Sequence, residues 1–118
     1  VGYSRIVKVG PFAFVGGTTS VQPDGTVYGE NDPYEQTKYV LEKQVALLEK
    51  AGGKREEVIR VKIYATDMKF SGEITRAYAG IFKDVRPLCT LVGTTALNRP
   101  TQIVEIEMDA IIGSYVKS

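Results

Sequence analysis

Residues 58–66 read VIRVKIYAT. Ile59, Val61, Ile63 and Ala65 alternate with Arg60, Lys62 and Tyr64. Successive strand residues point to opposite faces, so the stretch reads as a strand with one apolar face. Upstream, Asp32-Pro33-Tyr34-Glu35 has the chemistry of a helix start: Asp32 can cap, Pro33 suits the first helical position and Glu35 can reach back three residues. Val40, Leu41, Val45, Leu48 and Ala51 then recur at helical spacing, and Gly52-Gly53 is expected to end the helix in the left-handed conformation. Residues 3–19 are rich in Val, Phe, Ile and Thr and are broken at Gly10-Pro11, which predicts a hairpin. Gly16-Gly17, near the end of its second strand, marks either a bulge or a close approach of backbone or ligand. Pro23-Asp24-Gly25 is turn chemistry ahead of a short extended piece at 26–28. Downstream, Ser71 is a candidate cap for a second helix carrying Ile74, Ala77, Tyr78, Ile81 and Phe82 on one side. Two strands, near 89–96 and 102–111, complete the chain.

The order of two strands, helix, strand, helix and two strands is an α+β layout, expected as one domain over 1–118, with both helices on one face of a sheet. On the last strand Val104, Ile106, Met108 and Ala110 alternate with Glu105, Glu107 and Asp109, which places a row of carboxylates on the face away from the helices. If this strand neighbours 58–66, cross-strand ion pairing with Arg60 and Lys62 is the plain structural reading of Glu107 and Asp109. That layout leaves the second face of the sheet without a cover.

Composition narrows the chemistry. With one cysteine and no histidine among 118 residues, the chain has neither a disulfide framework nor the donors of a structural zinc site, and no cofactor is expected. Fifteen basic against fourteen acidic residues leave a net charge of +1, without a basic run that would suit nucleic acid or a membrane surface. No apolar segment approaches the roughly 20 residues of a membrane helix and no signal-peptide pattern opens the chain, so a cytoplasmic protein is expected. The chain begins at Val1, so the natural product can extend ahead of it.

Several segments carry a resemblance along nearly the whole chain: YSRIVKVGPFAFVGGTT, DPYEQTKYVLEKQVALLEKAGG, VIRVKIYATDM, RAYAGIF and the closing RPLCTLVGTTALNRPTQIVEIEMDA. They resemble the Rid family, also called the YjgF or L-PSP endoribonuclease family. The resemblance implies a chorismate-mutase-like fold, a mixed sheet with two helices on one face, assembled as a homotrimer with sheets inside and helices outside. It also implies three clefts between subunits, where deaminating members bind small carboxylate-bearing imines or enamines and add water to them.

By that resemblance Glu105 matches the carboxylate that directs the attacking water, and Tyr3 matches a tyrosine lining the cleft. Gly17 matches a glycine whose backbone approaches the ligand, and Leu91 falls on a second pocket position. Three positions depart. Gly16 stands where the deaminases have serine, Thr75 where they have asparagine, and Cys89 where they have an arginine whose planar fork holds the substrate carboxylate. A neutral thiol lacks that pair of charge-assisted hydrogen bonds, each typically worth about 1.5–3 kcal/mol.

Each of these residues also has a plain structural reading. Cys89 can be a small packed hydrophobe at an interface or a pocket thiol near Arg86 or Arg76, Glu105 an ion-paired surface carboxylate, and Tyr3 a packing residue near the terminus. Arg76, Arg86 or Arg99 can replace the missing anchor from a neighbouring subunit. Three functions remain in order: hydrolysis of a reactive imine, enamine or related molecule other than the usual ketimines, a non-catalytic metabolite-binding or protein-protecting trimer, and, last, RNA cleavage, for which no histidine is present.

Overall fold

The computed structural model describes residues 2–114. Five strands and two helices follow in the expected order: β1 (Ile6–Val9), β2 (Phe12–Thr18), α1 (Pro33–Lys50), β3 (Val58–Ala65), α2 (Ser71–Phe82), β4 (Leu88–Gly93) and β5 (Val104–Ile111). The sheet order is β1-β2-β5-β3-β4. Only the β3–β4 pair is parallel, because α2 carries the chain back over the sheet between them, so the sheet is mixed.

α1 begins as its sequence dictates. The Asp32 carboxylate accepts the Glu35 N–H at 3.0 Å and Pro33 occupies the first turn, while the Glu35 side chain accepts from the Tyr28 hydroxyl at 3.2 Å instead of closing a capping box. Gly52 ends the helix at φ +96°, a conformation side-chain-bearing residues adopt at a cost. α2 is different from expectation: Ser71 lies inside its first turn and caps nothing. The cap is Asp67, whose carboxylate accepts the Lys69 N–H at the head of a short 3-10 turn, Met68–Phe70, that runs into the helix.

β3 also corrects the expectation drawn from its alternation. Register shifts between Val58 and Arg60, so Val58 pairs with Ala110 and is fully buried, while Ile59 is only half-buried. A one-residue bulge moves one position off the core face without disturbing Val61, Ile63 and Ala65 beyond it. β4 ends at Gly93, short of the expected 96.

The core lies between the sheet and the helices. Val15, Met108, Val61, Ile63, Ile106 and Val104 from the sheet meet Val40, Leu41, Leu48, Ile74 and Phe82 from the helices, all 2% exposed or less. Buried glutamines bind the layers together. Gln36 on α1 donates to the carbonyls of Gly29 and Thr101 at 3.0 and 2.8 Å and accepts the Ile103 N–H at 2.8 Å. Gln36→Leu would leave the Ile103 N–H unpaired and take one of two donors from each of the Gly29 and Thr101 carbonyls, which keep the Asp32 and Asn31 N–H groups. A loss of about 2 kcal/mol is expected in chemical denaturation at fixed protein concentration.

The other face is uncovered and banded. Cross-strand rows Val7-Phe14-Asp109-Arg60-Leu88, Glu107-Lys62-Thr90 and Glu105-Tyr64-Val92 share it. Val7, Val9, Phe12 and Phe14 are exposed at one edge and Leu88 and Val92 at the other. The expected cross-strand ion pairs do not close: among the described residues no ion pair joins Arg60 or Lys62 to Glu107 or Asp109, and Glu107 accepts from the Tyr64 hydroxyl at 2.8 Å.

Candidate functional site

The sheet separates the candidate residues into two groups. Glu105 faces the uncovered side from β5, level with Tyr64. Beside it on β2, register slips between Val15 and Thr18, so Gly16-Gly17 forms a bulge against β5. The bulge reading of this glycine pair holds, and the group that comes close is a side chain instead of backbone or ligand. Gly17 is bulged, and it is also closely approached: a Cβ there would overlap the Glu105 Oε2 atom, whereas a Cβ on Gly16 would find ordinary contacts with the Ser4 and Arg5 carbonyl oxygens at 3.6 and 3.7 Å. The Gly16 N–H donates to the Arg5 carbonyl at 2.9 Å, which brings the segment bearing Tyr3 alongside the bulge. Tyr3 itself is 79% exposed in the single chain.

The second group lies on the helix side of edge strand β4. Cys89 pairs with Val61 and Leu91 with Ile63, both of which face the core, so these two side chains point away from the Glu105 face. Thr75 is exposed on α2. Tyr78, one turn further on, packs its ring against Phe82 with centroids 5.3 Å apart, and its buried hydroxyl has no hydrogen-bond partner among the described residues. Burial pushes the Cys89 thiol above its ordinary range, with the Tyr78 hydroxyl acting the other way. Burial first, and then Cys89, push the Tyr78 phenol up as well. Both groups are neutral at pH 7. Within the single chain, burial and the Tyr78 hydroxyl act on this thiol and no cation of the same chain is among the causes of its shift.

The three arginines named as replacements for the anchor lie on α2, at its exit and in the loop before β5. The Arg76 guanidinium lies over the Tyr34 ring at 4.4 Å, engaged with α1. Arg86 is exposed at the exit of α2 with φ +55°, and Arg99 sits in the loop before β5, where its N–H donates to Gln102 Oε1 at 3.0 Å. Two shallow grooves near Arg55, Gly80 and Ile81, one of them also lined by Glu42, Val45, Ala46 and Glu49 of α1, contain none of the candidate residues. No group of three or more His, Cys, Asp or Glu suited to a metal exists among the described residues, and no helix there is long and apolar enough to cross a membrane.

Sequence reading missed Tyr64, Tyr78 and Gln44. Tyr78 follows Thr75 at helical spacing and was assigned only to the packed face. Tyr64 becomes a neighbour of Glu105 only through the β3–β5 register, which no local pattern reveals.

A single five-stranded mixed sheet with both helices on one face is the chorismate-mutase-like α+β arrangement. The chain belongs to the Rid family: the model of the family described as endoribonuclease L-PSP matches residues 1–112. It is 36% identical over 111 residues to a RutC family protein of Aquifex aeolicus, covering 92% of this chain and 87% of that one. A crystal structure from Mycobacterium tuberculosis, described as a member of the highly conserved YjgF family, superposes with TM-score 0.84 at 37% identity, over 95% of this chain and 88% of that one. A Yersinia pestis member of the conserved Rid protein family, described as of unknown function, superposes with TM-score 0.87 at 29% identity, over 94% and 88%.

Proposed function

We propose that this protein hydrolyses a neutral imine or enamine in clefts between the subunits of a homotrimer. The observation that carries the reading is the division of the candidate residues between the two faces of one sheet. Glu105, Gly17 and Tyr3 stand on one side, and Cys89, Leu91 and Thr75 on the other. No motion within a folded chain unites them. A second copy that lays its β4–α2 side against the Glu105 face would do so, and would also cover the exposed apolar margins at Phe12, Phe14, Leu88 and Val92.

In such a cleft each group has a separable task. The Glu105 carboxylate accepts a proton from a water molecule as its oxygen bonds to the imine carbon and passes it to nitrogen, giving a carbinolamine. It then accepts the new hydroxyl's proton as the carbonyl forms and passes that proton to the amine nitrogen as the C–N bond breaks. Carbonyl product and ammonia leave, with no oxidant or reductant involved. The opposite half-site presents a thiol and a threonine hydroxyl, both uncharged, over the buried Tyr78 phenol; they can hydrogen-bond a polar substrate and give a carboxylate no counter-charge. The reading therefore selects substrates without a free carboxylate next to the imine carbon.

Sedimentation at micromolar concentration is expected to show a species of three chains. Imine turnover should favour carboxylate-free imines over 2-imino acids, such as those an amino-acid oxidase generates from alanine or leucine, by at least tenfold. A stable monomer would remove the cleft and the site with it. A trimer that prefers 2-imino acids would show that an arginine from a neighbouring subunit supplies the anchor.

A further inference from the structure

The amide of Gln44 joins the two chain segments that meet at the Gly17–Glu105 contact. Gln44 is 1% exposed and reaches from α1 to the underside of the sheet. Its Nε2 donates to the Ile106 carbonyl at 2.7 Å, to Thr18 Oγ1 at 3.2 Å and to the Gly16 carbonyl at 3.4 Å. The Thr18 hydroxyl in turn donates to the same Gly16 carbonyl at 2.8 Å. Ile106 is the residue after Glu105, and Gly16 and Thr18 flank Gly17. One side-chain amide thus holds both walls of the contact.

The physical need is created by the bulge. Where register slips between Val15 and Thr18, strand carbonyls lose the regular ladder donors that a neighbouring strand supplies. Gln44 and Thr18 supply donors in their place. The donor and acceptor ends of the amide differ: Gln44 Oε1 is buried without a hydrogen-bond partner among the described residues, whereas Gln36 has partners at both ends. Here the donor end is fully committed and the acceptor end is left unpaired. The neighbouring Lys43 works on the next stretch of the same segment, donating to the carbonyls of Thr19 and Val21 at 3.0 and 2.9 Å, so α1 grips the chain continuously from residue 16 to residue 21.

We propose that Gln44 is a positioning residue for hydrolysis: it holds the Gly16–Thr18 bulge against β5 so that the Glu105 carboxylate lies over the Gly17 backbone, facing the cleft. This rests on the reading of Glu105 as the group that directs water. Gln44 touches no substrate and acts only through the two backbone segments it joins.

The test compares Gln44→Leu and Gln44→Glu with wild type by two independent readouts on the intact protein. The first is NMR: the Gly16 and Gly17 amide resonances and the chemical shift of the Glu105 side-chain carboxyl carbon at fixed pH. Both variants are expected to displace the glycine resonances and the Glu105 carboxyl resonance. Gln44→Glu should do so more strongly, because it opposes a carboxylate to the carbonyls of Gly16 and Ile106. The second readout is the hydrolysis of a carboxylate-free imine, where kcat should fall at least tenfold with KM within twofold, since the carboxylate acts on the chemical step and not on binding. Thr18→Val, which removes one acceptor of Gln44 and the bridge to Gly16, is expected to give a smaller change of the same kind and serves if the Gln44 variants do not fold. Unchanged glycine and Glu105 resonances in folded variants would overturn the proposal, as would a loss expressed in KM alone. Displaced resonances in a protein whose wild type turns over no imine would uphold the positioning of Glu105 while removing the hydrolytic reading on which its purpose rests.

Discussion

Cys89→Arg is expected to raise hydrolysis of 2-imino acids by two to four orders of magnitude. The estimate follows from two charge-assisted hydrogen bonds between guanidinium and carboxylate at about 1.5–3 kcal/mol each, or about 3–6 kcal/mol together. Discrimination should reverse at the same time, with 2-imino acids overtaking carboxylate-free imines, because a guanidinium without its carboxylate partner strengthens no neutral substrate. Imines generated in situ and trapped as semicarbazones give the rate. In the same background Glu105→Ala should remove the acquired activity, since anchoring the carboxylate and directing the water are separate tasks on opposite half-sites. The fold should accept the larger side chain: Cys89 lies on an edge strand and is exposed as a residue, although its thiol is partly covered. A melting temperature within a few degrees of wild type is therefore expected. A large fall would place residue 89 in a close-packed interface, where an arginine both overpacks and buries an unpaired charge. A folded but inactive Cys89→Arg would assign the deficit to Gly16 and Thr75, the other two positions that depart from the deaminases.

Gly17→Ala should cost hydrolysis at least a hundredfold while Gly16→Ala costs almost nothing. The two glycines are adjacent and neither has a positive φ, so backbone freedom does not separate them. Space does. A methyl at residue 17 overlaps the Glu105 carboxylate, while a methyl at residue 16 meets only carbonyl oxygens at van der Waals distance. The atom displaced at residue 17 is the far end of a half-buried, flexible side chain, so Glu105 is expected to swing away and the protein to remain folded, with a stability change of about 1 kcal/mol or less. Activity lost with melting temperature retained is the signature of a close approach that serves the site. Equal effects at both positions would mean that the glycine pair exists for the bulge alone.

Much of this was legible in the sequence because it is local. Helical spacing of Val40, Leu41 and Leu48, the Asp32-Pro33 start and the alternation along β5 all concern residues a few positions apart, and each appears where its period places it. Local signals failed where a longer-range contact outweighed them. Ser71 was the nearest capping residue to α2, but an added 3-10 turn moved the cap back to Asp67. Ile59 fitted the alternation of β3, but the bulge beside β5 gave its core position to Val58. Arg60 and Lys62 did stand opposite Asp109 and Glu107, yet register alone closed no ion pair, and Glu107 took the Tyr64 hydroxyl instead.

The candidate site divides along the same line. Sequence by itself determined which residue types are present: a carboxylate at 105, a glycine pair at 16–17, a thiol where an arginine is expected, and no histidine to activate it. It also determined the α+β order, because periodicity and turn chemistry are written in neighbouring residues. Only the tertiary structure decided that Glu105 lies over Gly17, that Gln44 spans the bulge from below, that burial beside Tyr78 pushes the Cys89 thiol up, and that the two groups of candidate residues face opposite sides of one sheet. Each of these depends on which strands pair and in what register. A register shift of one residue reverses every side chain of a strand, and the choice is settled by the summed burial of the whole core, which no single segment carries.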